Sequence, residues 1–111
     1  MDQFAGLRSG DEKTLRVIVF SEENVFVAQC LEYDVAAQSN SIEAVIDRLE
    51  LTLEAEFSDC ESNNVRPRDK ISPAPVYYHN LWENQYAKLE RRVVPQPDCV
   101  PLVEYALAMV A

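Results

Sequence analysis

Residues 25–39 read Val-Phe-Val-Ala-Gln-Cys-Leu-Glu-Tyr-Asp-Val-Ala-Ala-Gln-Ser, and they lead directly into a helical pattern. Alternating apolar positions predict a strand over Val25–Leu31 and a shorter strand over Val35–Gln38. The preceding segment, Thr14–Phe20, is rich in β-branched residues and predicts another strand, which the polar turn Ser21–Asn24 joins to the next. Because the links are short, we expect the three strands to form an antiparallel meander.

An amphipathic helix follows at once. From residue 42 onward, apolar residues recur at steps of three and four and form one stripe, which consists of Ile42, Val45, Ile46, Leu49, Leu53 and Phe57. Asn40 or Ser41 can cap the free N–H groups of the first turn, and Glu43 suits the positive end of the helix dipole. The stripe has to lie against a sheet face, so the sequence predicts an α-on-β layer.

The rest of the chain gives a coarser prediction. Residues 1–11 are expected to form a flexible tail and residues 58–72 a loop. A Pro-Ala-Pro sequence predicts the start of a second helix over 73–92, and alternation predicts a terminal strand over 102–110. Residues 1–111 are therefore expected to form a single α+β domain. Its sheet is expected to be mostly antiparallel, in the order β-β-β-α-(α)-β, with one main helix packed on a face.

Composition and charge indicate a cytoplasmic protein with a protein partner. No apolar run approaches the ~20 residues that span a bilayer, and no secretory signal is visible. The net charge of −9 disfavours direct nucleic-acid binding and suits a basic protein partner. Three widely spaced cysteines, Cys30, Cys60 and Cys99, with a single histidine, favour reduced thiols over disulfides or a zinc site.

Carboxylates are the only abundant reactive groups, so they supply the one catalytic alternative. Glu32 and Asp34 flank the end of the second strand and could meet Asp47 or Glu54 of the helix, as a metal-dependent nuclease requires. However, Asp47, Glu50 and Glu54 have the pattern of an ordinary solvated helix face. With His79 as the only histidine and two glycines in total, neither a cysteine–histidine nucleophile nor a phosphate loop is indicated. The sequence predicts no catalytic residue, metal or cofactor, with Glu32 and Asp34 as the alternative.

Three short motifs carry a family resemblance. Ala28-Gln-Cys-Leu-Glu32 resembles the second strand of HicB-like antitoxins, Ala36-Ala-Gln-Ser-Asn-Ser41 their strand-to-helix turn, and Ile42-Glu-Ala-Val-Ile46 the start of their helix. The resemblance extends over residues 14–57. It implies a degenerate ribonuclease-H-like fold without working catalysis. It also implies a partner, a small basic RNA-cleaving toxin of the HicA type, whose active histidine the antitoxin covers. No basic recognition helix follows, so DNA-binding autoregulation is not expected.

The second predicted helix indicates self-association. Its aromatic surface is larger than its apolar stripe needs, and exposed aromatics are typical of interfaces. The terminal strand is nearly all apolar on both faces and would be an aggregation hazard at a free sheet edge. We therefore expect a homodimer or tetramer, with an interface that includes Tyr78, Trp82, Tyr86 and Tyr105. In the opposing interpretation, the second helix covers the last strand within one chain.

Overall fold

Five strands and three helices make up the described part of the chain, residues 14–93 and 102–109 of a computed structural model. The strands are β1 (Leu15–Glu22), β2 (Val25–Cys30), β3 (Ala36–Ser39), β4 (Ala87–Val93) and β5 (Leu102–Leu107). The helices are α1 (Ile42–Ser62), α2 (Pro67–Lys70) and α3 (Val76–Glu83). The predicted tail, residues 1–11, lies outside the described residues.

The sheet is mixed, with strand order β3-β2-β1-β5-β4. Three neighbouring pairs are antiparallel, whereas β1 and β5 are parallel. The predicted α+β class is confirmed, but the sheet has five strands where about four were expected. The terminal strand, which ends at Leu107, lies between β1 and β4 instead of at a free edge.

A two-residue turn joins β1 to β2. Glu22 and Val25 face each other in the ladder, and both intervening residues have positive φ, 49° at Glu23 and 72° at Asn24. Two successive left-handed residues are the pattern of a type I′ turn, whose twist matches that of the flanking strands. This turn fixes the register of the central hairpin.

Helix α1 begins where the sequence predicts and ends later. The Ser41 side chain accepts a hydrogen bond from the Ala44 backbone N–H at 3.1 Å, which caps the first turn. The predicted stripe faces the sheet, with Leu49 and Leu53 fully buried. The predicted loop over 58–72 was wrong, because α1 continues to Ser62 and α2 follows it. Cys60 is buried three residues after Phe57, so it extends the same stripe by one more turn.

Helix α3 covers the other face of the sheet. Its residues Tyr78, Leu81 and Trp82 pack, partly buried, against a smaller cluster on that face, which consists of Ile18, Phe20, Leu31, Ala106 and Ala108. The predicted helix over 73–92 was wrong after Glu83, because Ala87–Val93 forms β4. Pairing with β4 satisfies the outer backbone groups of β5, which a helix in that place would leave without partners.

Candidate binding surfaces

Glu32 and Asp34 each have a structural partner. One carboxylate oxygen of Glu32 accepts a hydrogen bond from the Arg16 backbone N–H at 2.7 Å, and the other accepts one from Arg16 Nε at 2.6 Å. Asp34 Oδ1 accepts a hydrogen bond from Gln29 Nε2 at 3.0 Å. Gln29 is buried and also contacts the Cys30 carbonyl oxygen at 3.0 Å, so its amide ties β2 to the turn that leads to β3. The two carboxylates thus hold strand ends in place.

The described residues bring no metal-binding set together. Within residues 14–93 and 102–109, no group of three or more His, Cys, Asp and Glu side chains is placed to hold a metal ion. Burial raises the pKa of the Cys30 thiol to about 12, so it stays protonated and unreactive near neutral pH. Burial also raises the pKa of Cys60. His79 Nε2 lies 3.2 Å from the Ala74 carbonyl oxygen, a local contact within the α3 region.

One side of α1, next to its buried face, carries a row of carboxylates, which we call the acidic stripe. Its members are spaced by four, three, four and seven residues, and they are Glu43, Asp47, Glu50, Glu54 and Glu61. At 3.6 residues per turn this spacing confines them to an arc of about 60°, and at 1.5 Å per residue the stripe is about 27 Å long. Like charges four residues apart destabilise a helix, so folding alone does not favour this arrangement.

One residue of the acidic stripe, Glu50, is hydrogen-bonded to a residue of the core, and an exposed apolar side chain, Leu51, lies beside the stripe. Tyr105 is 1% exposed and donates a hydrogen bond from its hydroxyl to Glu50 Oε2 at 2.7 Å. This bond joins α1 to β5. Leu51 lies next to Asp47 and Glu54 on the helix surface and is 67% exposed. The stripe therefore combines negative charge with one exposed apolar side chain near its middle.

The four residues predicted for an interface lie in three different environments. Tyr105 is interior and offers no exposed surface. Tyr78 stacks on Phe20 with a centroid distance of 6.1 Å, and Trp82 packs on the same face of the sheet. Tyr86 is exposed, immediately before β4. Tyr78 and Trp82 therefore pack within one chain, against Phe20 of β1 and the cluster that includes Ala106 of β5, and their part in an interface between copies stays a prediction.

Two cationic side chains lie near the indole ring of Trp82. The Arg16 guanidinium carbon lies 5.9 Å from the Trp82 ring centroid, and Lys88 Nζ lies 6.0 Å from it. Both distances are in the range of cation–π attraction. Since Arg16 also pairs with Glu32, this contact links α3 to β1 and to the turn after β2.

An open apolar groove of about 430 Å³ crosses one end of the sheet, and we call it the sheet-end groove. It follows the strand order from β2 through β1 and β5 to the residue before β4. Its main lining residues are Phe20, Phe26, Ile42, Tyr86, Leu107 and Met109, and no lining residue is charged. Sequence reasoning missed this groove because its walls come from five separate segments whose order in the sheet is not visible in the sequence.

Comparisons with family models, curated proteins and solved structures gave no match to this chain. The described residues form an α+β fold with two candidate binding surfaces, the acidic stripe and the sheet-end groove. In the part of the chain that the structure describes, no helix is long and apolar enough to cross a membrane.

Proposed function

We propose that this chain is a non-catalytic protein-binding module of the HicB-like, antitoxin-like kind, which binds a small basic protein through the acidic stripe. The observation that carries the proposal is the alignment of five carboxylates on one face of α1. The whole helix holds seven acidic residues against one basic residue, Arg48, in a chain of net charge −9. Complementary charge of this kind accelerates encounter with a basic partner and selects against acidic competitors.

The order of elements supports the antitoxin-like part of the proposal. The resemblance in residues 28–46 implies the order β-β-β-α-β, and the strands β1, β2 and β3, followed by α1 and later β5, keep that order. Helices α2 and α3 and strand β4 are inserted between α1 and β5. A partner of the implied class, a small basic RNA-cleaving toxin, has the charge that the acidic stripe requires.

Leu51 gives the proposed surface an apolar contact point. Charged residues contribute mostly to encounter rate and specificity, whereas a few well-packed central residues contribute most of the affinity of an interface. Leu51 is exposed in the central part of the stripe, beside Asp47 and Glu54. We therefore expect the partner to present a row of cations around a small apolar pocket.

The test begins with the neighbouring gene. A reading frame there for a short, basic protein with one prominent histidine supplies the partner to be purified. Calorimetry then measures its binding to the wild-type chain and to the triple variant Glu43→Lys, Asp47→Lys and Glu54→Lys. Since like charges placed against each other across an interface cost several kcal/mol, we expect the triple variant to bind about 100-fold or more weakly.

A matched control separates the stripe from net charge. The variant Glu22→Lys, Asp69→Lys and Glu83→Lys changes the same number of exposed carboxylates outside α1, so both variants have the same net charge. We expect this control to bind within a few-fold of the wild type. An equal loss in both variants would show that only net charge matters, and unaltered binding in the stripe variant would reject the stripe as the binding surface.

A second assay addresses catalysis. Purified chain is incubated with RNA and with RNA–DNA hybrids in the presence of Mg²⁺ or Mn²⁺. We expect no turnover, because Glu32 and Asp34 are engaged with Arg16 and Gln29. Turnover that disappears in Asp34→Asn, and persists in the control Asp69→Asn, would make the non-catalytic proposal untenable.

A further inference from the structure

We infer that the sheet-end groove is the contact site for a second copy of this chain in a two-fold dimer. This surface is distinct from the acidic stripe of the proposed function and approaches it only at the first turn of α1, where Ile42 lines the groove and Glu43 begins the stripe. Two of the most exposed large apolar side chains among the described residues, Met109 at 77% and Tyr86 at 62%, line the groove. The same patch therefore contains both protruding side chains and a hollow. Two copies related by a two-fold axis can each insert these side chains into the hollow of the other.

The shape and polarity of the groove favour a macromolecule over a small ligand. Small-molecule pockets enclose most of the ligand surface and direct several polar groups at it. The groove is open to solvent, and Ser21 and Tyr86 supply the only side-chain polar groups in its lining. An open, apolar and uncharged surface is typical of the central part of a protein interface, where charged residues are depleted.

Electrostatics favour this patch as the place where a second copy can approach. Each copy has a net charge of −9, so most orientations bring acidic surfaces together, whereas the groove lining carries no charge. Glu22 and Glu43 directly follow the lining residues Ser21 of β1 and Ile42 of α1, and Lys88 comes two residues after Tyr86 at the β4 end. A two-fold axis through the groove sets the acidic end of one copy against Lys88 of the other. Lys88 also contacts the Trp82 ring, so the apolar contact supplies the affinity and the charges set the orientation.

The sheet edges are less suited to a second copy. The edge strand β3 has only four residues, and short edge strands discourage pairing with another chain. The opposite edge strand, β4, has an irregular register between Lys88 and Arg91. Such irregularities twist an edge away from regular pairing. Association through the groove leaves both edges unchanged.

The test is a measurement of mass against concentration, by sedimentation velocity or light scattering, from low micromolar to millimolar protein. We expect the mass to rise from one copy toward two. Met109→Glu should weaken this association at least tenfold while the thermal melt stays unchanged, because the side chain is 77% exposed. Val76→Glu is the matched control, since it adds the same charge at another exposed apolar residue, 72% exposed at the start of α3. It should leave the association constant unchanged.

A charge exchange tests the two-fold orientation. Lys88→Glu should weaken the dimer, and combining it with Glu22→Lys, which lies outside the acidic stripe, should restore the association. A mass of one copy up to millimolar protein would overturn the proposal, as would a dimer that Met109→Glu leaves intact or a charge exchange without recovery. Binding of the basic partner by Met109→Glu is measured in parallel. Unchanged partner binding is expected, so failure of the dimer and failure of the proposed function are distinguishable.

Discussion

The two faces of the sheet are covered in different ways. Helix α1 has 21 residues, and six of them are buried, five in the cluster packed on the sheet. Helix α3 has eight residues and none that is fully buried. The cluster on the α1 side contains thirteen buried residues, five of them from α1 itself, whereas the cluster on the α3 side contains five, none of them from α3. The difference shows that the α1 face holds most of the core, whereas α3 covers the opposite face through partial contacts.

The strongest test of this difference is to place a charge in the core between α1 and the sheet. Leu49 is fully buried between α1 and the sheet, and Leu49→Asp places an unpaired carboxylate there. We expect the variant not to fold, and the milder Leu49→Ala to lower the free energy of unfolding by about 2–5 kcal/mol. Circular dichroism melts measure both. A cooperative, wild-type-like melt of Leu49→Asp would contradict the central place of α1.

A truncation in α3 should have a smaller effect. Trp82→Ala removes a partly buried ring together with its contacts to Arg16 and Lys88. Because the ring is only partly buried, we expect a loss of about 1–2 kcal/mol, below that of Leu49→Ala. Tyr77→Ala, at a side chain that is 48% exposed, is the control and should cost less. If Trp82→Ala and Leu49→Ala prove equally costly, the two faces contribute equally and the comparison fails.

The same contrast explains which elements could be predicted from the sequence. The apolar stripe of α1 is long, and its buried positions repeat the same spacing of three and four residues. The start of the helix and its buried face were therefore both predicted. Its end was missed because Cys60 is small and the residues around it are polar. This error also removed Glu61 from the row of carboxylates, of which Asp47, Glu50 and Glu54 were recognised as a solvated face.

The segment after α3 was mistaken for helix for another reason. Tyr86 and the basic residues near Lys88 continue the composition of α3, and the following stretch is too short and too charged for alternation to indicate a strand. Pairing with β5 decides its structure, and that contact lies outside local sequence information. The parallel pairing of β1 with β5 is likewise a property of the whole fold, so neither the position of β5 nor the sheet-end groove could be predicted.

The ion pair between Arg16 and Glu32, next to Trp82 of α3, tests how much charge contributes on the α3 side of the sheet. Glu32 binds both the backbone N–H and the side chain of Arg16, and both side chains are about one third exposed. Glu32→Gln keeps an acceptor but removes the charge, so we expect a loss of about 1 kcal/mol after screening by solvent. Urea titrations at low and high salt measure it. A wild-type-like response to salt in the variant would show that the charge contributes nothing.

The smallest expected effect concerns the end of α1. Lys70 of α2 pairs with Asp59, which lowers the pKa of Asp59 and raises that of Lys70. The pair therefore stabilises the fold only while both groups are charged. Its contribution is lost as pH falls through the lowered pKa of Asp59 and as pH rises through the raised pKa of Lys70. Lys70→Met should reduce Tm slightly at neutral pH.

The pH dependence of that difference is the test. The Tm difference between Lys70→Met and the wild type should vanish in strong acid, where Asp59 is protonated in both proteins. Asp59→Asn should have the same effect at neutral pH and should add little to Lys70→Met, since one interaction is being removed twice. A Tm difference that persists in acid would show that Lys70 acts through its aliphatic stem instead of its charge.

The parallel pairing of β1 with β5 has a consequence for synthesis on the ribosome. Leu15 pairs with Val103, so the pairing of β1 with β5 closes a loop of about 90 residues. Contacts between residues so far apart in the sequence favour slow folding. The hairpin of β1 and β2 and helix α1 emerge long before β5 does. During that interval β1 has no partner strand on the side that β5 later occupies. Strand β1 contains Val17, Ile18 and Val19, which are all buried in the finished fold. A nascent chain that stalls before Leu102 therefore exposes an apolar strand edge, the kind of surface that chaperones recognise and that aggregates when they do not.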